Sequence, residues 1–247
     1  MTRLLQQHWR EYASEAAALG LFMVSATAFA TLFQHPASPL TMWLPQTPVG
    51  RLPMGFAMGA TAIGLMHSAF GRCSGAHMNP AVTLTFLRLG RIGAADAVAY
   101  VVAQCVGALA GSAVALVLLA GLPADRSINF IATFPGDAGV ATAFVAEQAM
   151  SFGLMLTVLI LSNHRRTAPY AGVAAGVLIA LYIVVEAPVS GMSLNPARTL
   201  GPAILSGRFD AFWIYCTAPV LGMLSAAELF TGIFHCRQTA TLSETHA

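Results

Sequence analysis

Two stretches decide the fold of this chain: Ser74-Gly-Ala-His-Met-Asn-Pro-Ala81 and Ser190-Gly-Met-Ser-Leu-Asn-Pro-Ala197. They agree at five of eight positions, and each leads into a short apolar segment, Asn79 to Leu87 in one copy and Asn195 to Leu205 in the other. Neither segment reaches the roughly twenty apolar residues that a helix needs to cross a bilayer. Six flanking stretches, at about 12–33, 52–71, 94–120, 140–162, 168–187 and 211–234, do reach it. Three of them separate the two copies, so the second copy runs through the membrane upside down relative to the first. The reading is an all-α membrane protein: six transmembrane helices plus two half-helices, in inverted halves over about 10–120 and 140–234.

Composition agrees with that setting. The 247 residues include 12 Arg and no Lys against 10 Asp plus Glu, so charged residues make up 9% of the chain and hydrophobic ones 57%. An average soluble domain is about a quarter charged, and the mean hydropathy here is +0.70. A soluble globule cannot cover its surface with so few charges. A net charge of only +2 excludes a nucleic-acid partner, and four Cys without paired spacing exclude a disulfide scaffold or a thiolate metal site. Arg3, Arg10, Arg72, Arg88, Arg91, Arg165, Arg166 and Arg237 fall on one side of the six-span topology; Arg51, Arg126, Arg198 and Arg208 fall on the other. The positive-inside rule then puts both termini in the cytoplasm, in a multi-pass protein of the plasma or inner membrane. The 121–139 loop is external and reads as a plain connector.

Asn-Pro-Ala at the head of a short helix has a physical meaning. Pro80 and Pro196 occupy a first helical position that has no use for an amide donor, and Asn79 and Asn195 are good caps for the free N–H groups behind them. Each half-helix aims about half a positive charge at mid-membrane. Non-helical backbone at that depth survives only when buried in protein or lining a watery cavity. Such a cavity presents carbonyls from Gly75, Ala76 and His77 and from Gly191, Met192 and Ser193. A neutral hydrogen-bonding solute passes along them, whereas a cation meets the positive centre. Glu15 and Glu147, one in the first span of each half, read as the only buried acids.

These features resemble the aquaporin (major intrinsic protein) family over about residues 10–234, on the strength of SGAHMNPAV, SGMSLNPARTLGPA and the two acids. The resemblance implies a single transmembrane channel domain over 1–247, a homotetramer with one pore per subunit. It would be a passive conductor of water and small uncharged solutes that excludes ions and protons, with no enzymatic activity, cofactor or metal. It implies roles as well. Asn79-Pro80-Ala81 and Asn195-Pro196-Ala197 are the pore boxes, with both Asn as central donors. Arg198 is the cation of the outer filter, Glu15 and Glu147 hold the loops before the half-helices, and His77 lines the inner pore.

Counting back twenty residues from Asn79 gives Gly59, and fifteen from Arg198 gives Ile183, with Met192 as the third position beside Arg198. Strict water channels of the family have Phe and His at the first two, so this filter reads as wide and dry. Gly59 also sits in Gly55-x-x-x-Gly59, a helix-packing pattern, and both readings stand. Thr199 and Ala203 replace the acidic and basic residues of glycerol facilitators. The permeant is therefore water with small neutral solutes, or mainly glycerol, urea or metalloid hydroxides. A proton-coupled transporter would need a coupling site, which the symmetric Glu15 and Glu147 do not suit. An intramembrane enzyme would need a motif such as His-Glu-x-x-His or Gly-x-Ser-x-Gly, and neither occurs.

Overall fold

The computed structural model describes residues 6–45 and 47–244, with backbone alone for 234–244. Arg3 and the side chain of Arg237, both used in the positive-inside count, lie outside what is described. The first half contains α1 (Trp9–Gln34), α2 (Leu52–His67), the short α3 (Ala69–Ser74), α4 (Pro80–Arg88) and α5 (Ala94–Leu118). The second contains α6 (Gly139–Ser162), α7 (Ala171–Ser190), α8 (Pro196–Ser206) and α9 (Phe212–Glu244). Six helices are long and apolar enough to span a bilayer, and α4 and α8 are the two half-helices. At nine and eleven residues they measure about 14 and 17 Å, roughly half the hydrocarbon thickness.

The halves differ where the chain approaches each box. The second expected span ran to residue 71, but α2 stops at His67. Ser68 is extended (ψ 174°) and its hydroxyl accepts a hydrogen bond from Gly71 N, which starts α3 as a separate turn. In the second half α7 continues unbroken to Ser190, with Pro188 in its last turn.

Membrane helices gain little from hydrophobic burial against one another, so close backbone approach at small residues carries the packing. A Cβ placed on Gly107 or Gly111 of α5 would lie 2.2 Å from Ala16 O or Gly20 O of α1, and one on Gly222 of α9 would lie 2.3 Å from Gln148 O of α6. The same device joins the halves along the α2–α7 seam. A Cβ on Gly59 would lie 2.7 Å from Gly176 O and 2.9 Å from the Ala180 Cβ. Of the two readings of Gly59, the packing one describes its position.

The 121–139 loop is not a plain connector. Asp125 accepts from Ser127 N and Oγ at 2.8 and 2.7 Å, which holds its carboxyl below the usual carboxylate range and fixes a turn. Farther on, Thr133 Oγ1 meets Thr199 Oγ1 of α8 at 3.0 Å, and Gly136 N donates to Val189 O at 2.8 Å. The loop thus folds down onto the second box.

Two glycines of α2 separate packing from propensity. Gly64 has nothing within 4 Å of an added Cβ, so Gly64→Ala should hold or raise thermal stability in detergent, with helix propensity favouring Ala by about 1 kcal/mol. Gly59→Ala should lower it by about 1–3 kcal/mol through overpacking. Equal melting temperatures for the two variants would contradict the seam.

Candidate functional site

Each box is a helix cap turned into a donor. Asn79 and Asn195 are extended and sit directly before Pro80 and Pro196. Asn79 Oδ1 accepts from Ala81 N at 2.9 Å, while Asn195 Oδ1 accepts from Ala197 N at 3.0 Å and Arg198 N at 3.1 Å. With the oxygens so held, the amide nitrogens face across the molecule. Asn79 Nδ2 donates to Leu194 O at 2.8 Å, and Asn195 Nδ2 donates to Met78 O at 2.7 Å. The half-helices are therefore tied tip to tip by reciprocal bonds. An amide nitrogen has two N–H groups, so each Asn has one that the crossed bond does not use. Pro80, Ala81, Pro196 and Ala197 form the first turns behind these tips and do not border the lumen.

The chain reaches each tip through a strained loop. Gly75 and Gly191 adopt φ of 85° and 81°, a left-handed turn that glycine takes without a steric penalty. Ala76 and Met78 follow at φ of 55° and 45°, and Met192 and Leu194 at 49° and 55°. A non-glycine residue in this region costs about 1–3 kcal/mol, so other bonds must hold it. Glu15 and Glu147, both fully buried, supply them. Glu15 accepts from Ser74 Oγ at 2.6 Å, His77 N at 2.9 Å, Met78 N, and Gln104 Nε2 at 2.7 Å. Glu147 accepts from Ser190 Oγ at 2.6 Å and from Ser193 N and Leu194 N, both at 2.7 Å. Tyr100 and Tyr215 complete the pair of clamps, their hydroxyls donating to Ser74 O at 2.8 Å and Ser190 O at 2.6 Å. Gln104 and the two tyrosines carry no short-range sequence signal; only aligning the two halves would have suggested that Tyr100 and Tyr215 act alike.

A cavity of about 1210 Å³ runs past both tips. Asn79, Asn195, Gly75, Ala76, His77, Gly191, Met192, Ser193, Ile183 and Arg198 all border it. Gly59 does not. From α2, Met54, Met58, Ala62 and Met66 face the cavity, spaced four apart on one helix face, together with His67 at the helix end. His77 stacks on Phe86 with ring centroids 4.8 Å apart, and its Nδ1 lies 3.1 Å from Thr83 Oγ1. Ser127, Ile128 and Asn129 from the 121–139 loop also form wall at the end beside Arg51, while His67 and Arg72 stand at the other end. Arg198 Nη1 is buried and without a partner among the described residues. One expectation fails: Glu186 of α7, overlooked in the sequence, is buried too, so Glu15 and Glu147 are not the only buried acids.

Comparison with known proteins gives a consistent picture. The profile of the family described as Major intrinsic protein matches residues 3–230. "Glycerol uptake facilitator protein-like 6" of Lactiplantibacillus plantarum is 38% identical over 71% of this chain and 82% of its own length. Nodulin-26 of Glycine max is 37% identical over 65% of this chain, and aquaporin NIP1-2 of Arabidopsis thaliana is 36% identical over 70%. The matches span 58% and 59% of those two plant proteins. The crystal structure of the aquaglyceroporin from Plasmodium falciparum superposes with a TM-score of 0.74 at 21% identity, covering 90% of this chain and 95% of that one.

Glu15→Gln and Glu147→Gln put an NH2 group where several donors already converge. Each should destabilise the protein by on the order of 3 kcal/mol, the worth of one or two charge-assisted bonds. The loss should be read as a lower melting temperature and a smaller folded yield in detergent. Unchanged melting in either variant would mean that the carboxylate does not hold its loop.

Proposed function

The chain belongs to the major intrinsic protein family, a family of membrane channels and not of enzymes, and on that premise we propose a passive facilitator of wide aperture. It conducts water and small uncharged hydroxylated solutes, glycerol and urea among them, and excludes ions and protons. The observation that carries this reading is the lining that accompanies Arg198: Gly191, Met192 and Ser193 of the loop before the second box border the same cavity, and so do Met58 of α2 and Ile183 of α7. A polyol lays its carbons on the thioether and aliphatic groups and its hydroxyls on the donors and carbonyls. No aromatic ring or imidazole occupies the Met58 and Ile183 positions to restrict the lumen to water. The filter in this reading is Met58, Ile183, Met192 and Arg198, with Met58 in place of Gly59.

At the midplane the free N–H groups of Asn79 and Asn195 both donate to one solute oxygen. A water there has its lone pairs engaged and can only donate outward, which breaks a proton relay; the dipoles of α4 and α8 repel cations at the same point. The likeness to a glycerol uptake facilitator-like protein supports polyol passage. A homotetramer in the plasma or inner membrane, both termini cytoplasmic and the Arg51 end of the pore external, completes the proposal.

Stopped-flow light scattering on proteoliposomes should show glycerol, urea and water permeabilities all well above protein-free vesicles. Met58→Phe should cut glycerol flux about tenfold, equivalent to roughly 1.4 kcal/mol of barrier, with a smaller effect on water. Wild-type vesicles that exclude glycerol and urea would overturn the wide-aperture reading, and uphill accumulation driven by a proton gradient would overturn passive conduction.

A further inference from the structure

Pro188 lies in the last turn of α7. Proline has no N–H, so the Val184 carbonyl loses the donor that residue 188 would supply in an unbroken helix. An orphan carbonyl at membrane depth needs a replacement. Arg51, at the head of α2, provides it: Nε donates to Val184 O at 2.7 Å. That bond uses one of the five N–H groups of the guanidinium and pins the side chain across the α2–α7 seam, where Arg51 borders the cavity. Arg51 belongs to no ion pair among the described residues. The ionisable residues bordering the cavity are Arg51, His67, Arg72, His77 and Arg198, and no described carboxylate joins them.

We propose that Arg51 is a second selectivity arginine, a fixed charge at the outer mouth that rejects cations before they reach Arg198. Walls of low dielectric focus the field of such a charge along the lumen. Met54 and Met58 follow Arg51 inward on the same helix, so the entering solute meets charge first and thioether next. Pro188 is then part of the device, because it leaves Val184 O free to hold the guanidinium in place. The inference deepens the channel reading and rests on it.

Urea and guanidinium have nearly the same shape and differ in charge, which makes them suitable probes. Their fluxes would be measured in the same proteoliposomes for wild type, Arg51→Gln, Arg51→Lys, Pro188→Ala, Arg198→Gln and the double Arg51→Gln/Arg198→Gln variant. The guanidinium-to-urea ratio of the double variant should exceed that of Arg198→Gln by about tenfold. Arg51→Lys should keep the wild-type ratio, because an ammonium keeps the charge and can still donate to Val184 O. Pro188→Ala returns a helical N–H to Val184 O and frees the guanidinium, so its ratio should move in the direction of Arg51→Gln. A double variant no leakier to guanidinium than Arg198→Gln would reduce Arg51 to a strap between helices and overturn the proposal. Absence of urea flux in wild type would instead overturn the wide-aperture reading beneath it.

Discussion

Two buried carboxylates hold the centre of this protein together. A chain that leaves the helix inside a bilayer exposes amides that lipid cannot serve. Here Glu15 and Glu147 serve them, accepting the N–H groups of His77 and Met78 and of Ser193 and Leu194. With those bonds in place the loops can keep residues at positive φ, and their carbonyls can line a lumen instead of pairing with one another. Everything nearer the axis depends on that clamp: the extended Asn caps, the half-helices they start, and the crossed bonds from each Asn to the opposite loop.

The clamp also explains why a charge is tolerated inside a span. A carboxylate in hydrocarbon is costly unless it is well paired, and each of these is surrounded by donors. The two sites are near copies, with a serine hydroxyl, two loop amides and a tyrosine in each half, but Gln104 joins only the first. The Arg51 end of the cavity is built differently. There the second box is buttressed by Thr133 and Gly136 from the 121–139 loop, and α7 is strapped to α2 by Arg51. The asymmetry places added donors and charge on one side of a symmetric centre.

Much of this was legible in the sequence, and the exceptions have physical causes. The boxes, the caps and the two acids could be read because each rests on a short motif that occurs twice. Six spans followed from length and hydropathy. Gly59 misled because a helix turns by 100° per residue: one position separates Met58, which faces the lumen, from Gly59, which faces α7. Glu186 was hidden by its apolar neighbours, which made its span look uniformly hydrophobic. Gln104 and Arg51 act across 89 and 133 residues of chain, distances at which spacing carries no information. The inward fold of the 121–139 loop was invisible for the same reason, since its contacts with Thr199 and Val189 exist only once α8 and α7 are in place.

The central claim is that the two half-helix tips enclose a water-filled path closed to ions. The temperature dependence of osmotic water permeability, recorded with ionic conductance across the same reconstituted bilayer, tests it most directly. The account predicts a shallow dependence, close to that of water diffusion, with no proton or cation current. A dependence as steep as that of protein-free lipid, or a current that scales with protein content, would contradict it.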